Sequence, residues 1–168
     1  MTLLQAIVLG LVQGITEFLP ISSSGHLVMV PQFFGWEDQG AVFDALLHGA
    51  TLLALLIVFW KDLVRIVKGL VGNGDDDERR LGYWLIIGSI PAFLVGFFAN
   101  AYFAELRSTR VVAVSLIVWG IALWLADKNR SARGMKLRKA EKLRWYHALG
   151  VGVAQAISLI PGTSRSGI

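Results

Sequence analysis

Residues Gln13 to His26 read Q-G-I-T-E-F-L-P-I-S-S-S-G-H, and this stretch decides the architecture of the chain. An apolar run leads into it, and inside it lie a glutamine and a glutamate four residues apart, a proline, three serines, a glycine and a histidine. A helix over residues 1–19 places Gln13 and Glu17 on one face, with Gly10 and Gly14 beside them. Pro20 then ends that helix, and Ser22 to Gly25 is turn material rich in hydroxyl and amide donors. A second stretch, Gln155 to Gly167, reads Q-A-I-S-L-I-P-G-T-S-R-S-G. Both run thirteen residues from Gln to Gly, and both carry a proline ahead of a serine-rich turn, with the prolines one residue out of register. Two readings compete: chance likeness between Gly/Ser-rich helix ends, or an internal repeat whose two polar loops build one site.

The surroundings of both stretches are those of a membrane protein. The 168 residues are 55% hydrophobic with six tryptophans, and the mean hydropathy is +0.59. That is more apolar material than a soluble domain of this length requires. No cysteine is present, which excludes a disulfide framework, a thiolate metal site and a cysteine nucleophile. The net charge of +4 raises the question of nucleic acid, but the distribution argues against it. Of 16 Lys and Arg, five lie in 61–80, eight in 127–145 and two in 105–110, while Arg165 alone sits inside a motif. Basic clusters between long apolar runs mark the cytoplasmic loops of a multi-span membrane protein.

Three segments, 41–60, 81–103 and 111–126, approach the roughly 20 apolar residues that a bilayer crossing takes. The opening residues 1–19 lack both a basic start and a small-residue cleavage site, so they are expected in the mature fold. Asp44 and His48, four apart near the start of the first span, are either interfacial or packed polar residues, or side chains facing the site. Residues 73–80, with Asp75, Asp76, Asp77 and Glu78, read as a solvated loop without the spaced partners of a cation site. Residues 127–144 read as a basic loop lying against an anionic leaflet.

The positive-inside rule places 61–80 and 127–145 in the cytoplasm and 104–110 on the opposite side. Residues 1–40 hold no Lys or Arg, yet residue 41 must begin its span outside. The segment is therefore expected to dip in and return as a re-entrant hairpin bent at Pro20 to Gly25. Residues 145–168 begin a second hairpin, bent at Pro161 to Gly167. Three spans separate the two, so they enter from opposite faces. Such inverted repeats set broken helices and binding sites near the midplane, where irregular backbone survives only against protein or a water-filled cavity. The expected fold is one all-α integral membrane domain over 1–168, with inverted-topology repeats, re-entrant helix hairpins and transmembrane helices.

Glu17 and Arg165 are the ionisable residues expected deepest in the membrane, where either charge is costly and functional by default. An ion pair between them would lock the hairpins together but would leave the serines and His26 without a role. A phosphate-bearing ligand uses all of them. Arg165 offers a planar fork for phosphate oxygens. The turns, through Ser22, Ser23, Ser24 and Gly25 and through Gly162, Ser164 and Ser166, offer serial N–H groups and hydroxyls. Glu17 and Gln13 are candidates to hold a divalent cation. His26 acts as general acid or base or attacks phosphorus directly; alternatively Ser23 or Ser22 is the nucleophile with His26 as its base.

At these residues the chain resembles the undecaprenyl-diphosphate phosphatase family, the bacitracin-resistance type of integral membrane phosphatase. Gln13 and Glu17 match the family's first motif, Glu or Gln followed four residues later by Glu. Phe18 to His26 match F-L-P-x-S-S-x-G-H, Pro161 to Gly167 match P-G-x-S-R-S-G, and Phe43 to Leu53 resemble the first full span. The resemblance implies a site open to the periplasm of the bacterial inner membrane and removal of the terminal phosphate of undecaprenyl diphosphate, which recycles the lipid carrier for peptidoglycan synthesis. It implies dependence on Mg2+ or Ca2+ and carries roles onto Glu17, Ser23, His26, Ser164 and Arg165, with His26 acting alongside Glu17. The partners expected are undecaprenyl diphosphate and membrane lipid, with a homodimer as an option and no nucleic acid. The runner-up function is a polyprenyl-lipid transporter or flippase, since inverted repeats with broken helices also build transporters. Ile168 falls inside the second motif, so the expectation is a fragment of a longer protein, inactive alone, with about 100 residues to follow.

Overall fold

The computed structural model describes residues 1–99, 102, 106–132 and 143–168, and among these the regular structure is entirely helical. The helices are α1 (Leu3–Thr16), α2 (Ser23–Phe33), α3 (Gly40–Val58), α4 (Trp60–Leu70), α5 (Asp76–Phe98), α6 (Thr109–Ala132) and α7 (Trp145–Ile157). The all-α membrane class expected from the sequence is the one adopted. Helices α3, α5 and α6 contain stretches long and apolar enough to cross a membrane. The others differ in length for a simple reason. At about 1.5 Å per residue, α1, α2 and α7 reach only about 16–21 Å, short of a hydrocarbon core about 30 Å thick. Their lengths suit the legs of hairpins, and α1 and α2 do pack against each other.

Local chemistry sets the boundaries. Thr2 opens α1 with a capping box: its hydroxyl accepts the Gln5 N–H at 3.3 Å, and Gln5 Oε1 accepts the Thr2 N–H at 2.7 Å. The helix stops at Thr16, with Glu17 as its last capping residue, rather than running to residue 19. A proline at 20 disfavours helical geometry at the residue before it, so the chain leaves the helix early.

Two expectations for the cytoplasmic side are corrected. Residues 61–80, read as a loop, contain α4 and the first turn of α5. The acidic run is no solvated loop: Asp76, Asp77 and Glu78 form the N-terminal turn of α5, where negative charge complements the helix dipole. Glu78 Oε2 also accepts the Asp75 N–H at 3.4 Å. Helix α4 then lies along α5, with Leu70 filling the space beside Gly82. Helix α6 outruns its expected bounds at both ends, started by Ser108, whose hydroxyl accepts the Val111 N–H at 3.3 Å. Of the expected 81–103 span, residues 100, 101 and 103 lie outside the described residues, as do 133–142 of the basic loop.

The fully buried apolar side chains Leu9, Leu27, Val28 and Val112 come from α1, α2 and α6, so the tight core sits where the first hairpin meets α6. Elsewhere large apolar side chains such as Leu53, Ile86, Phe93 and Ile117 point outward, as lipid-facing helices require. At the start of α3, Arg107 clamps the α2–α3 connection. Its Nε and Nη2 donate to the two oxygens of Asp38 at 2.9 and 2.8 Å, and its Nη1 donates to Asp44 Oδ2 at 2.5 Å. The Arg107 hydrogen bonds hold the Asp38 carboxyl below its ordinary value.

Helices α5 and α7 pack along each other through small residues. A Cβ at position 152 would collide with the Gly88 carbonyl oxygen and lie 3.0 Å from Pro91 Cδ. Neither obstacle is a flexible side-chain end, so α7 would have to move off α5. Gly152→Val is therefore expected to destabilise the protein by about 3 kcal/mol. A lowered thermal unfolding midpoint in detergent would register it, and an unchanged midpoint would show that the crossing can spread at little cost.

Candidate functional site

The site is built from two turns. The first follows α1. Gln13 and Glu17 sit one helical turn apart, and Gln13 Nε2 donates to Glu17 Oε2 at 2.9 Å. The chain then bends through Pro20 to Ser22, which is the one non-glycine residue at positive φ (66°) among the described residues. That strained geometry turns Ser22 into the N-cap of α2, its hydroxyl accepting the Gly25 N–H at 3.3 Å. The N-terminus of α2 consequently starts beside Glu17. Ser23 Oγ donates to Glu17 Oε2 at 2.5 Å.

The second turn follows α7. Gly162 takes φ +91°, and a side chain there would strike the Val112 carbonyl 2.7 Å from its Cβ, so only glycine lets this turn close on α6. Gln155 Nε2 donates to the Arg165 carbonyl at 3.1 Å, and Ser164 and Ser166 hydroxyls lie 3.2 Å apart. Ser166 Oγ then donates to the Leu19 carbonyl at 2.7 Å, which fastens the second turn to the first across 147 residues. The two stretches that resemble each other in sequence thus form one structure.

Between them lies a polar cavity of about 10 Å³, lined by Glu17, Ser22, Ser23, Ser24, His48, Thr163, Ser164, Arg165 and Ser166. An apolar cavity of about 240 Å³ adjoins it, sharing Ser22 and Ser164 and walled by Leu116, Trp119 and Leu123. A narrow polar cleft, with room for about one water, therefore lies beside an apolar cavity at a common serine boundary. The Arg165 side chain is exposed and makes no ion pair among the described residues. The ion pair between Glu17 and Arg165 that would have locked the hairpins does not form; Glu17 instead faces His48, with Nε2 3.5 Å from Oε2.

The residues expected from the sequence are distributed as follows. Glu17, Ser22, Ser23, Ser24, Ser164, Arg165 and Ser166 all line the polar cavity, while Gly162 borders the apolar one. Gly25 is buried against Leu116 of α6 and serves packing. His26 stands apart from both cavities, half-buried, with Nδ1 2.8 Å from the Ser22 carbonyl. A carbonyl only accepts, so Nδ1 is the donor of this pair. The Glu17 carboxylate pairs with Ser23 rather than with His26.

Thr51 and Thr163 were not singled out from the sequence as site residues, while His48 follows the second of its two expected readings and faces the polar cavity. Thr163 is 1% exposed, and its hydroxyl has no partner among the described residues. Asp44, His48 and Thr51 fall at i, i+4 and i+7 along α3, a polar stripe on an apolar span, and that spacing was the available signal. Thr51 Oγ1 accepts from Gln13 Nε2 at 3.5 Å.

Gln13 is 1% exposed and its Oε1 is buried without a partner. The amide orientation follows from Nε2, which must face the Glu17 carboxylate as a donor. Two hard oxygens, Gln13 Oε1 and Glu17 Oε1, are thereby left without hydrogen-bond partners among the described residues. No group of three or more His, Asp and Glu gathers there among the described residues. One carboxylate and one amide oxygen, completed by ligand phosphate oxygens and water, is a donor set that fits Mg2+ or Ca2+.

The family model described as "Bacitracin resistance protein BacA" matches residues 6–168. "Undecaprenyl-diphosphatase 1" of Pseudoalteromonas translucida is 45% identical over 173 residues, covering 100% of this chain and 64% of the relative. "Undecaprenyl-diphosphatase" of Moorella thermoacetica is 44% identical over 169 residues, covering 100% and 63%. That of Erythrobacter litoralis is 41% identical over 195 residues, covering 100% and 67%. The chain thus spans a little under two thirds of the length of the first two of these relatives.

Proposed function

The chain belongs to the bacitracin resistance protein BacA family, and from that premise we propose that it hydrolyses undecaprenyl diphosphate to undecaprenyl phosphate and inorganic phosphate. The observation that carries the reading is the polar cavity with its apolar neighbour. An amphiphilic prenyl diphosphate needs both, and the shared Ser22 and Ser164 mark where head would meet tail. The relatives' names point to the same lipid. The site is proposed to open to the periplasm of the bacterial inner membrane. That placement rests on the basic clusters at 61–80 and 127–145, which the positive-inside rule assigns to the cytoplasmic side.

Arg165 would grip the terminal phosphate through its guanidinium fork, helped by the α2 amides and the serine hydroxyls. Ser23, hydrogen-bonded to Glu17, is then placed to attack the terminal phosphorus. As its Oγ–P bond forms, its proton passes to Glu17 and the P–O bond to the bridging oxygen breaks, releasing the lipid monophosphate. Water then cleaves the phosphoserine to free inorganic phosphate. His26 stands one helical turn beyond Ser22 as an alternative base or nucleophile. Glu17 and Gln13 would hold the divalent cation through their Oε1 atoms, and the cation, when bound, would neutralise phosphate charge and polarise the phosphorus.

The test is phosphate release from a C15 or C55 prenyl diphosphate by the purified full-length protein. Release that EDTA abolishes and added Mg2+ or Ca2+ restores is expected. A protein that binds the lipid and moves it across vesicles without releasing phosphate would instead be a transporter.

A further inference from the structure

His48 has no role in the mechanism above, yet it lines the polar cavity alongside Arg165 and the serines of both turns. We infer that His48 is a positioning residue, which holds the Glu17 carboxylate in the orientation that Ser23 requires. The inference rests on the phosphatase reading of the same cavity.

The geometry runs through one oxygen. Glu17 Oε2 receives the Gln13 amide at 2.9 Å and the Ser23 hydroxyl at 2.5 Å, and lies 3.5 Å from His48 Nε2. Gln13 shares α1 with Glu17, and Ser23 begins the helix that follows, so both belong to the same hairpin. His48 belongs to α3 and is the one contact tying this oxygen to a neighbouring span among the described residues. Its own ring is fixed: Nδ1 donates to the Asp44 carbonyl at 2.8 Å, one turn earlier, so Nε2 holds the carboxylate as the second N–H of an imidazolium, the form this role requires. Asp44 is in turn held by Arg107, so the base of this support is anchored at the start of α3. Thr51 supports Gln13 from the same face of α3, one turn further on. Without His48 the carboxylate keeps only contacts from its own hairpin. It can then swing about its terminal torsion, which is broad and soft for glutamate. A misplacement of about 1 Å at a reacting group costs up to about 100-fold in rate.

Three substitutions read this. Glutamine offers an N–H close to the place of Nε2; asparagine is polar but too short to reach Glu17; leucine fills the volume without a donor. With a C15 prenyl diphosphate and saturating Mg2+, His48→Asn and His48→Leu are expected to lower kcat by about 10- to 100-fold. KM should stay within about twofold, because the phosphate grip of Arg165 is untouched. His48→Gln should recover most of that loss, and all three should unfold in detergent near the wild-type temperature. Wild-type kcat in His48→Asn overturns the inference, and so does a His48→Gln as slow as His48→Asn. If the wild-type protein releases no phosphate, the phosphatase reading falls and takes this one with it. An active wild type with an indifferent His48 removes this inference alone.

Discussion

Arg165→Lys is expected to lower kcat/KM for prenyl diphosphate hydrolysis by about 100-fold, and Arg165→Ala by about 1,000-fold. The main chain at this position is held by Gln155, and Ser166 pins the next residue to Leu19, so the turn survives a side-chain exchange. The guanidinium itself makes no ion pair among the described residues while lining the polar cavity, so its charge is available to an anion. Lysine restores a positive charge but not the planar pair of donors that matches two phosphate oxygens at once. The loss should therefore appear in both KM and kcat, because the same fork grips the phosphate oxygens in the bound substrate and the equatorial oxygens of the transferring phosphoryl group. Equal activity in Arg165→Lys would reduce Arg165 to a general attractor of anions.

The motifs were legible because chemistry and environment conflict in them. A glutamate, a serine run and an arginine inside apolar sequence are costly unless used, so Glu17, Ser22 to Ser24 and Ser164 to Ser166 stood out, and the structure gathers them. The short helices followed from Pro20 and the glycine-rich turns. Pairings were not legible. Glu17 meets His48, and Arg107 meets Asp44 63 residues away, through tertiary packing that no local pattern encodes. Asp44 and His48 were visible as a polar face, but nothing in the sequence says which helix that face meets. The acidic run at 75–78 was misread by weighing its charge alone. Asp75 with Glu78 three residues on is a helix-start signature, and the charges sit where a helix N-terminus favours them. His26 was given a share of the site by its place in the motif. Helical periodicity puts it one turn beyond Ser22, where it is not among the residues that line the polar cavity.

Glu17→Gln is the most damaging conservative change expected, lowering kcat by about 1,000-fold with the fold intact. An amide at position 17 has nearly the shape of the carboxylate, and its oxygen still accepts from Gln13 and Ser23, so the hydrogen-bond frame around it survives. Two things are lost. The amide oxygen cannot take up the Ser23 proton, so the hydroxyl must attack without a base. The negative charge that would hold a cation beside Gln13 Oε1 is gone as well, so the concentration of Mg2+ needed for half-maximal rate should rise. These losses separate experimentally. A slow enzyme with unchanged Mg2+ dependence keeps Glu17 as the base of Ser23 and removes it from the cation site. A slow enzyme rescued by high Mg2+ does the reverse and moves the base to His26, whose ring would then have to reach the cavity by rotation of the α2 N-terminus. Adding Ser23→Ala decides between them: if Glu17 and Ser23 act as one unit, the double variant is no slower than Glu17→Gln alone.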